Sequence, residues 1–459
     1  MANWQGKRVV IVGLARQGLA LARYLAPQGC HLVLTDRRTE AEFGQARDSL
    51  VGMGSIEWAL GGHPLEILDG ADMVFPSGGV SLNLPLLVEA QARGIPLSND
   101  SQVFLEAAPC LVVGITGSAG KTTTTTLVGR MAGAGYKGGR VWVGGNIGDP
   151  LIAYLDEMQP QDLAVMELSS FQLEIMTLSP GIAAVLNITP NHLDRHADMQ
   201  EYTAAKAHIL DFQEAGDVAV LGHEDPGAWG LGGNVRGKLY SFGLTPAPTA
   251  QVSAYLKEDA IYLRDGEAEA KVMGRDCIRL RGEHNLMNVI AACSISAAAG
   301  ISVQAMQAGV EGFTGVPHRL EHVRSWGGAD WYNDSIATAP ERAIAAIQSF
   351  DEPLVLLAGG RDKNLPWEGF ADLVRERVDH LVLFGEARGV ISQALDRRST
   401  ERGILPVIEC RDLQEAVQAA AKLVVPGDVV LLSPGGTSFD EFRDFEERGE
   451  AFKRWVMDL

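Results

Sequence analysis

Apolar residues fall in short runs rich in Val, Ile and Leu, each closed by glycine and followed by a stretch with helical spacing. Continuous runs of this kind suit strands buried on both faces, and the stretches between them suit helical crossovers, so the pattern predicts an α/β protein with mostly parallel sheets. In the first hundred residues the predicted strands are 8–12, 31–35, 71–75 and 95–97, with helices at 18–26 and 84–92. A second series starts at 111–116 and continues through 140–143, 163–168, 182–188 and 218–221. From about Gly232 to Arg281 the runs become shorter and alternate (238–242, 260–263, 275–280), which predicts a small antiparallel sheet attached to this series. A helix from Asn285 to Ala299 follows it. The third series has strands at 354–358, 380–384 and 429–433 and helices at 340–349 and 413–423. Breaks at Ala108-Pro109 and Gly315-Val316-Pro317 divide the chain into expected domains 1–107, 108–316 and 317–459. The first and third are expected to be Rossmann-like, and the central one to be a P-loop-type domain with a parallel sheet.

Length supports that count, since 459 residues at roughly 150 per domain give about three. Hydrophobic residues make up 46% and charged residues 21%, enough apolar material for a core in each domain. The 39 Lys and Arg against 58 Asp and Glu leave a net charge of −19, which argues against nucleic acid or an anionic membrane as partner. Any anionic ligand must be held by local groups. Five scattered cysteines lack a C-x-x-C pair or zinc spacing, and a reduced, cytoplasmic protein is expected. Neither a signal peptide nor a membrane span of ~20 apolar residues is expected.

Two glycine loops carry candidate chemistry. Gly13-Leu-Ala-Arg-Gln-Gly18 follows the first strand and opens a helix, and Asp36 ends the second strand. This approaches a dinucleotide fingerprint, but Ala15 stands where close approach of a pyrophosphate favours glycine, so hydride chemistry is weakened and nucleotide or nucleotide-sugar binding survives. A tight turn with no ligand remains the alternative. Ser77-Gly78-Gly79 after the third strand supplies a further amide-rich turn, or an ordinary strand-end turn.

The second loop is the stronger. Strand 111–116 runs into Gly117-Ser118-Ala119-Gly120-Lys121-Thr122-Thr123, a variant P-loop with Ile115 where strict spacing has glycine. Curved amides can cradle phosphates, Lys121 can reach the terminal phosphates and the Thr122 hydroxyl can serve Mg²⁺, so ATP binding is expected. Glu167, His192 and Asp194 follow later strands of this domain, where carboxylate or imidazole beside a phosphate-bound Mg²⁺ is reasonable. Helical spacing alone puts Lys206 on an exposed face with no evident role.

Gly114-Ile-Thr-Gly-Ser-Ala-Gly-Lys-Thr122, Gly144-Gly-Asn-Ile-Gly148, Glu167-Leu-Ser-Ser-Phe-Gln-Leu173, Asn187–Asp194, Tyr202-x-x-Ala-Lys206, Gly282-Glu-His-Asn285, Pro317-His-Arg319, Asn333-Asp-Ser335 and Leu432-Ser-Pro434 occur in order along almost the whole chain. Together they resemble the Mur ligase family, and within it the branch that joins D-glutamate to UDP-N-acetylmuramoyl-L-alanine in cytoplasmic cell-wall precursor synthesis. The resemblance implies an ATP-dependent ligase working through an acyl phosphate. It implies that Lys121 holds ATP phosphates, that Thr122, Glu167, His192 and Lys206 serve Mg²⁺, and that Lys206 becomes carbamylated. Gly117 to Thr123, Asn285, Arg319 and Asp334 would contact ATP. Leu14, Asp36, Arg37 and Gly79 match the region for the uridine diphosphate group, and Asn146 and His192 lie by the nucleotide sugar. Thr338, Lys363, Ser438 and Phe445 match the glutamate site. The family also implies closure of the third domain on the second and a monomer. Two departures stand out: Ala119 where the family often has asparagine, and Ile336 where this branch commonly has lysine. A sibling ligase with another amino acid, and a nicotinamide enzyme built on the first loop, are the competing readings.

Overall fold

The computed structural model describes residues 3–190, 198–363, 365–396 and 405–459. The chain forms two compact units. One comprises Met1–Ile278 and Glu283–Gly312, the other Arg279–Gly282 and Phe313–Leu459.

Two sheets make up the first unit. A four-stranded parallel sheet runs Ser55–Leu60, His31–Asp36, Arg8–Val12, Met73–Pro76. Alternation decides its faces: Val9, Ile11, Leu32 and Leu34 pack with helix Arg16–Leu25, whereas Val10, Val12 and Val33 pack with helix Pro85–Ala92. The expected strand 95–97 is reduced to a single bridge between Val74 and Leu97, because Pro96 has no N–H with which to extend a ladder. Ser55–Leu60 was not expected; it is an edge strand whose exposed and half-buried residues dilute the apolar signal.

The second sheet has nine strands in the order Ala268–Gly274, Ala260–Asp265, Val252–Lys257, Lys238–Gly243, Val218–Gly222, Ile182–Val185, Leu111–Thr116, Leu163–Glu167, Val141–Gly145. Strand Lys238–Gly243 pairs in parallel with both neighbours, so the expected antiparallel strands extend the main sheet rather than form a second one. The antiparallel part is confined to the pairings among 252–257, 260–265 and 268–274, turned at Glu258 and Asp259, both at positive φ as a tight hairpin requires. Residues 275–280, expected as a strand, begin instead with a 3₁₀ turn in which the Ile278 N–H donates to the Arg275 carbonyl.

Asn99, Ser101 and Gln102 fasten the two sheets of this unit together. The Asn99 amide donates to the Gln172 carbonyl (2.8 Å), the Gln172 amide donates to the Ser101 hydroxyl (2.8 Å), and the Thr177 N–H donates to Gln102 Oε1 (2.9 Å). Gln172 also closes a capping box with Ser169 on the short helix Ser170–Leu173, which fixes its rotamer.

In the second unit a six-stranded sheet runs Glu321–Trp326, Ala329–Asn333, Val429–Gly435, Leu354–Gly359, His380–Phe384, Val407–Glu409, parallel except for the first hairpin. Leu356, Leu381 and Leu383 pack on the side of helices Pro340–Ile347 and Glu368–Arg377, and Val355, Leu357 and Val382 on the side of Leu413–Ala421 and Phe445–Met457. Arg281, from the four-residue upstream segment, ion-pairs with Glu352 and lies 5.2 Å from the Tyr332 ring centre. Among the described residues no helix is long and apolar enough to cross a membrane.

Candidate active site

Strand Leu111–Thr116 lies inside the nine-stranded sheet, and its carboxyl end leads through residues 117–120 into helix Lys121–Gly135. Ligands in such sheets bind beyond the carboxyl ends of strands. Gly120 stands at φ 82°, and a β-carbon there would also run into the side chain of Asn288. From outside the loop Asn187 holds it open. Its carbonyl accepts from the Ser118 N–H (2.9 Å), its side-chain oxygen accepts from the Ala119 N–H (2.8 Å) and its amide donates to the Ala119 carbonyl (3.1 Å). The Ser118 hydroxyl donates to the Thr189 carbonyl (2.9 Å) and lies 3.0 Å from the Tyr202 hydroxyl. Sequence pattern assigns Asn187 no part in this loop; the only signal is an asparagine just past a strand end. Lys121 arches back, its ammonium donating to the carbonyls of Gly117 (2.8 Å) and Ser118 (3.4 Å). Thr123 is buried in the first helical turn, and Asn285 joins the same region by accepting from the Asn288 amide (3.2 Å).

The neighbouring strand ends at Glu167, only 2% exposed. The Thr122 hydroxyl donates to one carboxylate oxygen (2.9 Å) and the Asn146 amide to the other (2.9 Å). Lys206, expected on an exposed helical face, is 1% exposed. Helix Met199–Asp211 turns it inward, so that its ammonium donates to the Gly117 carbonyl (3.0 Å) and the Thr116 hydroxyl (3.4 Å) and lies 4.7 Å from the Tyr202 ring centre. Burial, reinforced by the charge of Lys121 and opposed by Glu167, pulls its pKa down to about 7. Lys121, Thr122, Glu167, Asn146 and Lys206 thus meet around one loop. His192 and Asp194 lie outside the described residues.

At the first sheet, Asp36 accepts from the Leu14 N–H (2.8 Å). Burial opposes its charge, but hydrogen bonds from Arg38 and Leu14 outweigh that and hold its pKa at about 2. Arg38, absent from the sequence expectation, grips both oxygens of this carboxylate (3.1 and 3.0 Å), while Arg37 is exposed. The Ser77 hydroxyl donates to the Gly13 carbonyl (2.6 Å), bringing the turn that contains Gly79 beside the first glycine loop. A cleft lined by Ser77, Gly78, Asn83, Gln172, Glu174 and Glu201 continues from it.

In the second unit, Asp334 is buried and accepts from the Ser433 hydroxyl (2.8 Å) and the Leu320 N–H (3.2 Å). Burial pushes its pKa up to about 7, against those hydrogen bonds and the charges of Arg319 and Arg342. Ser438 is buried, Thr338 is half-buried, and Lys363 and Arg319 are exposed. The Phe445 carbonyl accepts from the Ser335 hydroxyl (2.8 Å), which in turn accepts from Arg448 (2.9 Å). Arg448 is 1% exposed and also donates to the carbonyls of Ser335 (2.8 Å) and Gly436 (3.1 Å). Burial lowers the pKa of Lys363, and Arg342 and Arg448 add to the effect.

Comparison with known proteins covers the chain end to end. Residues 7–99 match the MurD-like N-terminal domain of Mur ligases, residues 115–296 the Mur ligase middle domain, and residues 318–436 the glutamate ligase domain. The chain is 40% identical over 453 residues to the UDP-N-acetylmuramoylalanine–D-glutamate ligase of Symbiobacterium thermophilum, covering 99% of this chain and 98% of that one. It is 37% identical to the protein of the same name from Acetivibrio thermocellus, covering 99% and 97%. Among solved structures, the UDP-N-acetylmuramate-alanine ligase of Thermotoga maritima matches in fold with a TM-score of 0.58 at 17% identity, over 98% of this chain and all of that one. The MurF ligase of the same organism in complex with ADP matches with a TM-score of 0.54 at 16% identity, over 93% and 95%.

Proposed function

The chain belongs to the Mur ligase family, and from that premise we infer that it joins D-glutamate to UDP-N-acetylmuramoyl-L-alanine with consumption of ATP, a step of peptidoglycan precursor synthesis. The observation that carries the reading is the convergence of Lys121, Thr122, Glu167 and Lys206 on the loop at Gly117–Gly120.

The alanine carboxylate of the acceptor is a poor electrophile. Transfer of the γ-phosphoryl group of ATP to one of its oxygens makes an acyl phosphate; the glutamate amine then attacks the carbonyl carbon, and phosphate leaves with that oxygen. Positioning and charge stabilisation are most of what such a transfer asks of a protein. The loop amides and Lys121 face the phosphates, and residues 117–123 with Asn285 form the nucleotide's cradle in the first unit. Arg319 and Asp334 are assigned to the same nucleotide from the second. Leu14, Asp36, Arg37 and Gly79 serve the uridine diphosphate end. Thr338, Lys363, Ser438 and Phe445 serve the incoming glutamate, the amide-nitrogen donor. The modules 1–107, 108–316 and 317–459 then act as acceptor, ATP and amino-acid domains.

The groups around Glu167 suit Mg²⁺: a carboxylate and a hydroxyl are hard oxygen ligands, too few to enclose the ion and right for one shared with phosphates. Thr122 and Glu167 would hold it, with His192 and carbamylated Lys206 serving a second ion. Bound there, Mg²⁺ neutralises charge that develops on the transferred phosphoryl group.

Phosphate release is the direct test. It is expected only when ATP, UDP-N-acetylmuramoyl-L-alanine and D-glutamate are all present, with a product heavier than the acceptor by one glutamate residue in mass spectrometry. Turnover indifferent to the acceptor or to the amino acid would sink the reading, and a preference for another amino acid in a panel would move the chain to a sibling activity.

A further inference from the structure

Residues 187–189, just past strand Ile182–Val185, run as a strap between two neighbours. Toward the glycine loop the strap makes two reciprocal pairs. The Asn187 side chain accepts from the Ala119 N–H (2.8 Å) and donates to the Ala119 carbonyl (3.1 Å). The Ser118 hydroxyl accepts from the Thr189 N–H (3.0 Å) and donates to the Thr189 carbonyl (2.9 Å). Between them, the Ser118 N–H donates to the Asn187 carbonyl (2.9 Å). On the other side, the Ile188 N–H donates to Asp225 (3.0 Å), and the same carboxylate oxygen accepts from the Ala228 N–H (2.8 Å). Ile188 itself is 6% exposed. The strap is therefore held from both sides, and the loop is held by the strap.

Chemistry narrows the choice of residue at 187. Pairing with both the N–H and the carbonyl of one residue takes a donor and an acceptor side by side, which a primary amide offers and a carboxylate or aliphatic side chain does not. The pair copies the exchange of both bonds between facing residues of an antiparallel ladder. Its effect falls on the outer turn of the loop, where the Ser118 and Ala119 amides are committed to Asn187 and set the curvature before any phosphate arrives. A β-carbon at Gly117 would stand 2.9 Å from the Leu186 β-carbon, so the chain leading into the strap closes off retreat of the loop on that side. A glycine-rich loop without such a brace has to be ordered by its ligand, at a cost in affinity.

We propose that Asn187 is a positioning residue for the nucleotide: it acts through the backbone of Ala119 to fix the phosphate loop in its binding shape, and Asp225 secures the strap from behind. The inference rests on the ATP site of the proposed function and deepens it. Lys121, Thr122 and Glu167 keep their charges and oxygens whatever stands at 187, so the loss of Asn187 is a loss of nucleotide binding rather than of chemistry.

Calorimetric titration of the full chain with ADP and Mg²⁺, alongside steady-state kinetics, tests this. Asn187→Ala is expected to weaken ADP binding and to raise KM for ATP by at least about 5-fold, as loss of two hydrogen bonds from a preorganised site does. At saturating ATP, kcat and the KM for glutamate should stay within about 3-fold. Asn187→Gln, with the same amide on a longer stem, should recover part of the loss, and Asp225→Ala should show the same split between nucleotide and glutamate. A smaller change of ADP affinity in Asn187→Ala overturns the proposal. So does equal weakening of every substrate with a lowered urea midpoint, the mark of general damage. Should Asn187→Ala fail to fold, the ratio of the KM values for ATP and glutamate in Asn187→Gln and Asp225→Ala decides, and a ratio unchanged in both overturns it. The wild-type chain separates the two levels of inference. Failure to bind ADP overturns the nucleotide reading and this proposal together, whereas binding that the variants leave intact overturns the proposal alone. Ligation of an amino acid other than glutamate, by a chain whose ADP affinity falls in Asn187→Ala, overturns the D-glutamate assignment and supports Asn187.

Discussion

Two oxygens and an aromatic face surround the Lys206 ammonium, while the full charges nearby, Lys121 and Glu167, oppose each other. A pKa near 7 against an ordinary 10.5 means that the folded protein releases this proton first, so stability rises with pH between those values and falls as pH drops through 7. The same depression leaves a neutral amine able to add carbon dioxide. A carbamate carbon signal in NMR with ¹³C-bicarbonate is therefore expected to grow from pH 6 to 8.5 and to vanish in Lys206→Arg, with turnover lowered by at least about 100-fold. A signal that persisted in the variant would assign the adduct elsewhere. At this scale the sequence is uneven as a guide. Gly-Lys-Thr and Glu167 are legible because strand ends and phosphate chemistry constrain them. The burial of Lys206 is not, since Tyr-Thr-Ala-Ala-Lys-Ala-His fits a helix whose inward face only tertiary packing decides. Nor does spacing choose between Arg37 and Arg38: adjacent residues after a strand point apart, and only the second can turn back to Asp36.

Elements show where pattern reading loses its grip. Strands buried on both faces, such as Leu111–Thr116 and Leu354–Gly359, stand out as unbroken apolar runs. Edge strands and hairpins, such as Ser55–Leu60 and Glu321–Trp326, bury too little of either face to leave that mark. The antiparallel extension beyond Lys238–Gly243 is legible as alternation, but its attachment to the main sheet is a long-range pairing that no local window contains. One junction between elements has a sharp energetic signature. At Gly120 the chain passes from strand to helix with φ positive and with the Asn288 side chain where a β-carbon would stand. Gly120→Ala is expected to lower unfolding free energy by about 2 kcal/mol or more in urea titrations, combining left-handed strain with the steric clash. Loss below about 0.5 kcal/mol would mean that the loop can relax, and that its shape is not fixed in advance by Asn187 and Asn288.

At the scale of the whole molecule, the charge of −19 and the anionic substrates are reconciled by distance. Surface charges beyond about 8–10 Å are screened at physiological salt. On the proposed function, attraction would fall to the loop amides and Lys121 in one unit and to Arg319 and Lys363 in the other. The two units also share the chain unevenly, because Arg279–Gly282 belongs with the second while the first resumes at Glu283. A fragment of residues 313–459 made alone lacks Arg281, its ion pair with Glu352 and its stacking on Tyr332. That fragment, and the intact chain carrying Arg281→Ala, are both expected to show the second unit unfolding at lower urea, by about 1–2 kcal/mol for the substitution. Equal midpoints in all three proteins would leave Arg281 without a stabilising part. Synthesis on the ribosome gives the detour a temporal meaning as well. Arg281 emerges before Tyr332, Asp330 and Glu352 have been made, so one corner of the second unit is synthesised ahead of the sheet it will join.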